Sequence, residues 1–111
     1  MKIIVQKFGG TSVASEEARV AVKNKVQQAI RNGYSPVVVV SAMGRKGAPY
    51  ATDTLIGTLK DVNLSVNVRE MDMMMCCGEI ISSCVMVYPM PLYTSEKYDC
   101  FVGRLRRDDS N

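Results

Sequence analysis

Histidine is missing from all 111 residues of this sequence, and that one gap removes a broad class of chemistry. Without it no Ser-His-Asp or Cys-His relay can form. A zinc site would need all four cysteines, and Cys76, Cys77, Cys84 and Cys100 contain no C-x-x-C pair. Adjacent cysteines such as Cys76 and Cys77 rarely bridge each other, so the four read as buried reduced thiols packed as small hydrophobes. No metal site is expected. A strong charge of either sign is lacking too: 14 basic residues against 11 acidic give a net charge of +3. That is too mild to argue for nucleic acid, and only Arg104, Arg106 and Arg107 cluster. No stretch approaches the roughly 20 apolar residues needed to span a membrane. Met1 leads directly into a strand with no h-region or cleavage site, which suggests no secretion signal and a cytoplasmic setting.

What is present is enough for one small α/β domain, with 47% hydrophobic residues to build a core. The chain is organised around KIIVQKFGGTS, Lys2 to Ser12. Ile3, Ile4 and Val5 form a short apolar run that reads as a buried strand ending at Phe8. Gly9 and Gly10 follow at once, and without a Cβ their backbone can turn sharply and approach a bulky anion. Thr11, Ser12 and Ser15 offer helix caps, and a helix starting there would add the positive end of its dipole. Lys7 adds a full charge. The group describes a phosphate site, although the same glycines would serve a plain strand-to-helix turn, and the pattern matches neither the P-loop nor the dinucleotide fingerprint.

Ser15-Glu16-Glu17 opens a helix whose apolar stripe is Ala18, Val22, Val26, Ala29 and Ile30. Gly33 stops it and Pro36 prevents a restart. Val37 to Val40 has no polar alternation and reads as a strand buried on both faces, as in a helix-covered parallel sheet. Strand, helix, strand gives a right-handed βαβ unit. Ligands of open α/β sheets bind beyond the carboxyl ends of the strands, so the Gly9-Gly10 loop and Ser41 should converge.

Met43 to Tyr50 is a glycine- and proline-punctuated loop. Arg45 and Lys46 on it read either as phosphate-facing or, preferably, as a solvated basic turn. Thr52-Asp53 can cap a short helix through Lys60, with Leu55, Ile56 and Leu59 inward. A helix from about Val66 carries Met71, Met74, Met75 and Cys76 on one face, a stripe better read as core filler than as a metal site. Gly78-Glu79 should break or bend it before it runs on to about Met86. Beyond lies a tail, residues 87–111, where Tyr93, Tyr98, Phe101 and Val102 suggest a short edge strand and Arg104 to Asn111 suggest disorder.

Three motifs, in order, resemble the aspartate kinases of the amino-acid kinase superfamily: KFGGTS (Lys7 to Ser12), VVVVSAMG (Val37 to Gly44) and REMDMMMCCGE (Arg69 to Glu79). The resemblance covers residues 1–86 and favours aspartate kinase over acetylglutamate or uridylate kinases. It implies the βαβ start of a three-layer parallel-sheet sandwich, cut short, with residues 87–111 as a divergent tail from truncation or a frameshift. It also implies transfer of the γ-phosphoryl group of ATP, with Mg2+, to the side-chain carboxylate of L-aspartate.

By this resemblance Lys7 is the catalytic cation. Lys7, Phe8, Gly9, Gly10 and Ser41 bind the phosphates, Thr52 contacts the amino-acid substrate, and Glu79 binds its α-ammonium. As plain structure, Thr52 would be a helix cap and Glu79 an exposed helix acid. The family's substrate arginine, second lysine and adenine pocket would lie beyond this chain. An enzyme fragment with little activity is therefore expected. The competing readings are a non-catalytic phosphate-binding module and an inert product that self-associates through an exposed sheet edge.

Overall fold

The computed structural model describes residues 2–90. Cys100, the edge strand read at Tyr93 to Val102 and the disordered end from Arg104 lie outside the described residues. The elements run β1 (Lys2–Phe8), α1 (Gly10–Val13), α2 (Glu16–Arg31), β2 (Tyr34–Val40), α3 (Thr52–Val62) and α4 (Val68–Val87). β1 and β2 pair in parallel, in register from Lys2↔Tyr34 to Phe8↔Val40, with α1 and α2 as the crossover. This is the βαβ start that the sequence indicates.

Local chemistry explains most of the boundaries. Ser15 caps α2 by accepting a hydrogen bond from the Ala18 N–H at 3.1 Å, and Glu16 and Glu17 occupy the first turn. Val22, Val26 and Ala29 are its buried stripe, and Gly33 follows its end at φ +86°. The helix expected directly after the glycines is split in two. α1 is a single turn, and Arg19 donates from its guanidinium to the Val13 carbonyl at 3.0 Å, satisfying one acceptor at the break. β2 starts at Tyr34, earlier than the valine run, and accommodates Pro36 because a two-stranded sheet leaves one side of each strand without a ladder.

The core lies on one face of the sheet. Phe8, Val13, Val22, Val26 and Met86 form it, with Val38, Val40, Met43 and Met90 packed around them. The opposite face is open: Ile3, Val5, Val37 and Val39 are 61%, 66%, 49% and 41% exposed. This corrects the reading of Val37 to Val40 as buried on both faces. Alternate strand residues point to opposite sides, and among the described residues helices cover only one of them.

Two further readings are corrected on α4. The helix runs unbroken through Gly78, which does not end it. A Cβ there would lie 3.0 Å from each of Ala42 Cβ, Leu55 Cδ1 and the Tyr50 carbonyl, so this glycine lets α4 pack closely against the β2–α3 loop and α3. The thiols are free but not buried: Cys76 is half-buried, and Cys77 and Cys84 are exposed. Cys77 and Cys84 stand two helical turns apart on the outer face, opposite Gly78, Ser82 and Met86. Met71, Met74 and Met75 are half-buried while Arg69 and Glu70 are exposed, as packing residues should be. The Ser82 hydroxyl and the Gln6 side-chain Oε1 are buried without a partner among the described residues, each a cost of roughly 1–3 kcal/mol.

Candidate anion site at the strand ends

Both strands end at the same level, and their exit loops are tied together there. The Ser41 N–H donates to the Phe8 carbonyl at 3.1 Å, and the Gly44 N–H donates to the Gly10 carbonyl at 3.0 Å. The approach is so close that a Cβ on Gly10 would fall 2.5 Å from the Ala42 carbonyl oxygen and 2.7 Å from that of Gly44. Gly9 is different: a Cβ there meets nothing within 4 Å, and its extended backbone suits any residue. Gly10 is needed for packing and Gly9 for open space. The amide N–H groups of Gly9 and Gly10 find no acceptor among the described residues.

Between the loops and the start of α3 lies an open cleft of about 210 Å³, lined by Gly10, Ser41, Ala42, Gly44, Arg45, Lys46, Ala51, Thr52 and Asp53. Of the residues singled out in the sequence, it brings together Gly10, Ser41 and Thr52. Lys7, Phe8, Gly9 and Glu79 do not line it. Lys7 is exposed at the end of β1, on the same side as Ile3 and Val5, whereas Phe8 is in the core. Glu79 is half-buried on α4, directly after the Gly78 that abuts Ala42, and its carboxylate has no ion-pair partner among the described residues.

Thr52 is not a helix cap. The N-cap of α3 is Ala51, with no side-chain hydrogen bond, so the Thr52 hydroxyl is left for the cleft. Arg45 and Lys46 are exposed, as a solvated turn would be, yet they form one wall of the cleft.

Residues 2–100 match the model of the amino acid kinase family. The chain belongs to that family. Among its amino acid kinase relatives, Aspartokinase 1 of Bacillus subtilis (strain 168) is 55% identical over 85 residues, covering 77% of this chain and 21% of that protein. The aspartokinase of Helicobacter pylori (strain ATCC 700392 / 26695) is 37% identical over 91 residues, covering 82% of this chain and 21% of that protein. The crystal structure of aspartate kinase from Synechocystis superposes with a TM-score of 0.72 at 37% identity, over 83% of this chain and 15% of that one. The chain thus spans about a fifth of the length of the relatives it matches. Among the described residues no helix is long and apolar enough to cross a membrane.

Proposed function

We propose that this chain is the phosphate-side half of an aspartate kinase site, directed at transfer of the γ-phosphoryl group of ATP to the side-chain carboxylate of L-aspartate. The observation that carries the reading is the cleft joining the Gly10, Ser41 and Thr52 loops, in a family member whose relatives are aspartokinases. The acceptor is already an anion, so no strong base is required, and the absence of histidine is no obstacle. The difficulty is bringing negative groups together and stabilising the charge spread over the transferring phosphoryl group.

Each residue has a part in that task. The free N–H groups of Gly9 and Gly10 cradle phosphate oxygens. Because α1 is one turn long, its dipole adds little, and the work falls to these amides and to Lys7. Lys7, at the end of β1 and outside the cleft lining, offsets charge at the transferring phosphoryl group from the strand end, and Ser41 holds a neighbouring phosphate within the cleft. Thr52, which lines the same cleft, contacts the amino-acid substrate, and Glu79 binds its α-ammonium. A half-buried carboxylate lacking a counter-ion among the described residues suits that last role.

Among the described residues no group of three or more acids or cysteines could hold a metal ion. Magnesium would therefore be carried by the phosphate oxygens of the nucleotide, with Asp53 the one carboxylate on the cleft wall. When bound it would neutralise phosphate charge. A cytoplasmic setting fits such a reaction.

The cleft is smaller than the roughly 300–1,000 Å³ of a complete small-molecule site, so it holds phosphates and not a whole nucleotide with its co-substrate. The isolated chain should bind without turning over. A coupled ADP-release assay with ATP, magnesium and aspartate is expected to show no aspartate-dependent rate above background. Turnover that disappears in Lys7→Ala would show that the chain is a complete catalyst and overturn the half-site reading.

A further inference from the structure

We propose that Arg45 and Lys46 grip the outer phosphates of a polyphosphate and make the cleft select triphosphate over monophosphate; this rests on the phosphate-site reading above. Arg45 and Lys46 line the same cleft as Gly10 and Ser41. Neither forms an ion pair or a side-chain hydrogen bond among the described residues, although Asp53 lines the same cleft. Two cations unneutralised beside a carboxylate leave the cleft with a net positive charge that only an anion from outside can balance.

The pair does not sit on a loose hairpin. Its loop is held at both ends by the buried Ala42 and Ala51. Inside, the Gly44 N–H donates to the Gly10 carbonyl at 3.0 Å and the Ala48 N–H donates to the Arg45 carbonyl at 2.8 Å. The Thr54 hydroxyl, from α3, donates to the Ala48 carbonyl at 2.6 Å. Gly44, at φ +91°, makes the turn that carries the chain from the Gly10 contact to Arg45. A basic dipeptide tied by hydrogen bonds to both flanking elements has its position fixed before any ligand arrives, which lowers the ordering cost of binding.

The glycine amides can satisfy a single phosphate group. A triphosphate carries further oxygens and further charge that can extend to Arg45 and Lys46 in the same cleft. There the planar Arg45 fork can engage two oxygens of one phosphate, and Lys46 acts as a point charge on another. The result is discrimination by anion length. Ordinary surface charge would give only a general salt-sensitive attraction.

The test is calorimetric titration of the full 111-residue chain with inorganic phosphate and inorganic triphosphate, probes that need no adenine pocket. Wild type is compared with R45Q/K46Q, with Lys7→Ala, and with K25Q/K60Q, which removes the same charge from exposed positions on α2 and α3. R45Q/K46Q is expected to weaken triphosphate roughly tenfold while changing monophosphate by less than about twofold, and K25Q/K60Q to bind like wild type. Wild-type affinity in R45Q/K46Q, alongside loss in Lys7→Ala, would overturn this proposal and leave the phosphate site standing. An equal loss in K25Q/K60Q, or equal weakening of both anions in R45Q/K46Q, would also overturn it. Failure of the wild type to bind either anion would overturn both readings. Far-ultraviolet circular dichroism confirms that each variant keeps its helices.

Discussion

Gly10→Ala should destabilise this protein by on the order of 3 kcal/mol, while Gly9→Ala should change it by less than about 0.5 kcal/mol. The two glycines are adjacent and look equivalent in sequence. The new methyl group of Gly10→Ala would meet the Ala42 carbonyl oxygen at 2.5 Å and the Gly44 carbonyl oxygen at 2.7 Å. Both are backbone atoms, so no side-chain rotation relieves the clash. The loop must move, which breaks the Gly44–Gly10 hydrogen bond and lifts Ala42 away from Gly78. Gly9→Ala adds its methyl group to open space, on a backbone at φ −73° and ψ 173° that any residue adopts. Urea denaturation of the two variants at one low concentration reads the difference. A Gly10→Ala midpoint equal to wild type would mean that the two exit loops do not touch.

The second large effect concerns the open sheet face. Ile3, Val5, Val37 and Val39 form a contiguous apolar surface on two strands, and a two-stranded sheet is marginal by itself. Such a surface invites a second copy. Sedimentation velocity over a wide concentration range should show reversible association. V5K/V37K, which places two charges at directly paired positions, should weaken it by a factor of about 100 or more, since each buried valine contributes roughly 1.5–3 kcal/mol. The helical core lies on the other face, so the monomer's helix content should be retained. A wild type that stays monomeric at every concentration would mean that this face is covered.

How far the sequence discloses the structure depends on where the deciding contact lies. The Ser15 cap and the Val22, Val26, Ala29 stripe were legible because their partners are three or four residues away. The convergence of Gly10 and Ser41 was legible because strand ends in α/β sheets share one level. The role of Gly78 was not. A glycine in a helix costs roughly 1 kcal/mol relative to alanine, and only the approach of Tyr50, Leu55 and Ala42 shows why it stands there without ending the helix.

The valine run misled for a similar reason. Continuous β-branched residues signal two covered faces, but the cover for one face is not among residues 2–90. Thr52 looked like a cap because threonine caps well, yet the cap position of α3 falls one residue earlier, on Ala51, and Thr52 is the first helical residue. Arg45 and Lys46 looked like solvent residues because charge on a loop usually is. Their place in the cleft follows from the hydrogen bonds of the loop, which leave no mark in composition.

The most direct measurement is a 1H–15N correlation titration of the uniformly labelled chain with ATP at low salt. Saturable shifts are expected at the amides of Gly9, Gly10, Ser41, Gly44 and Thr52, diminishing as salt is raised and largely lost in Lys7→Ala. Glu79→Ala should leave them intact, because its partner is the amino group of aspartate and not a phosphate. Shifts confined to other parts of the chain, or binding that survives Lys7→Ala and disappears in Glu79→Ala, would contradict the assignment of this cleft as the phosphate half of an aspartate kinase site.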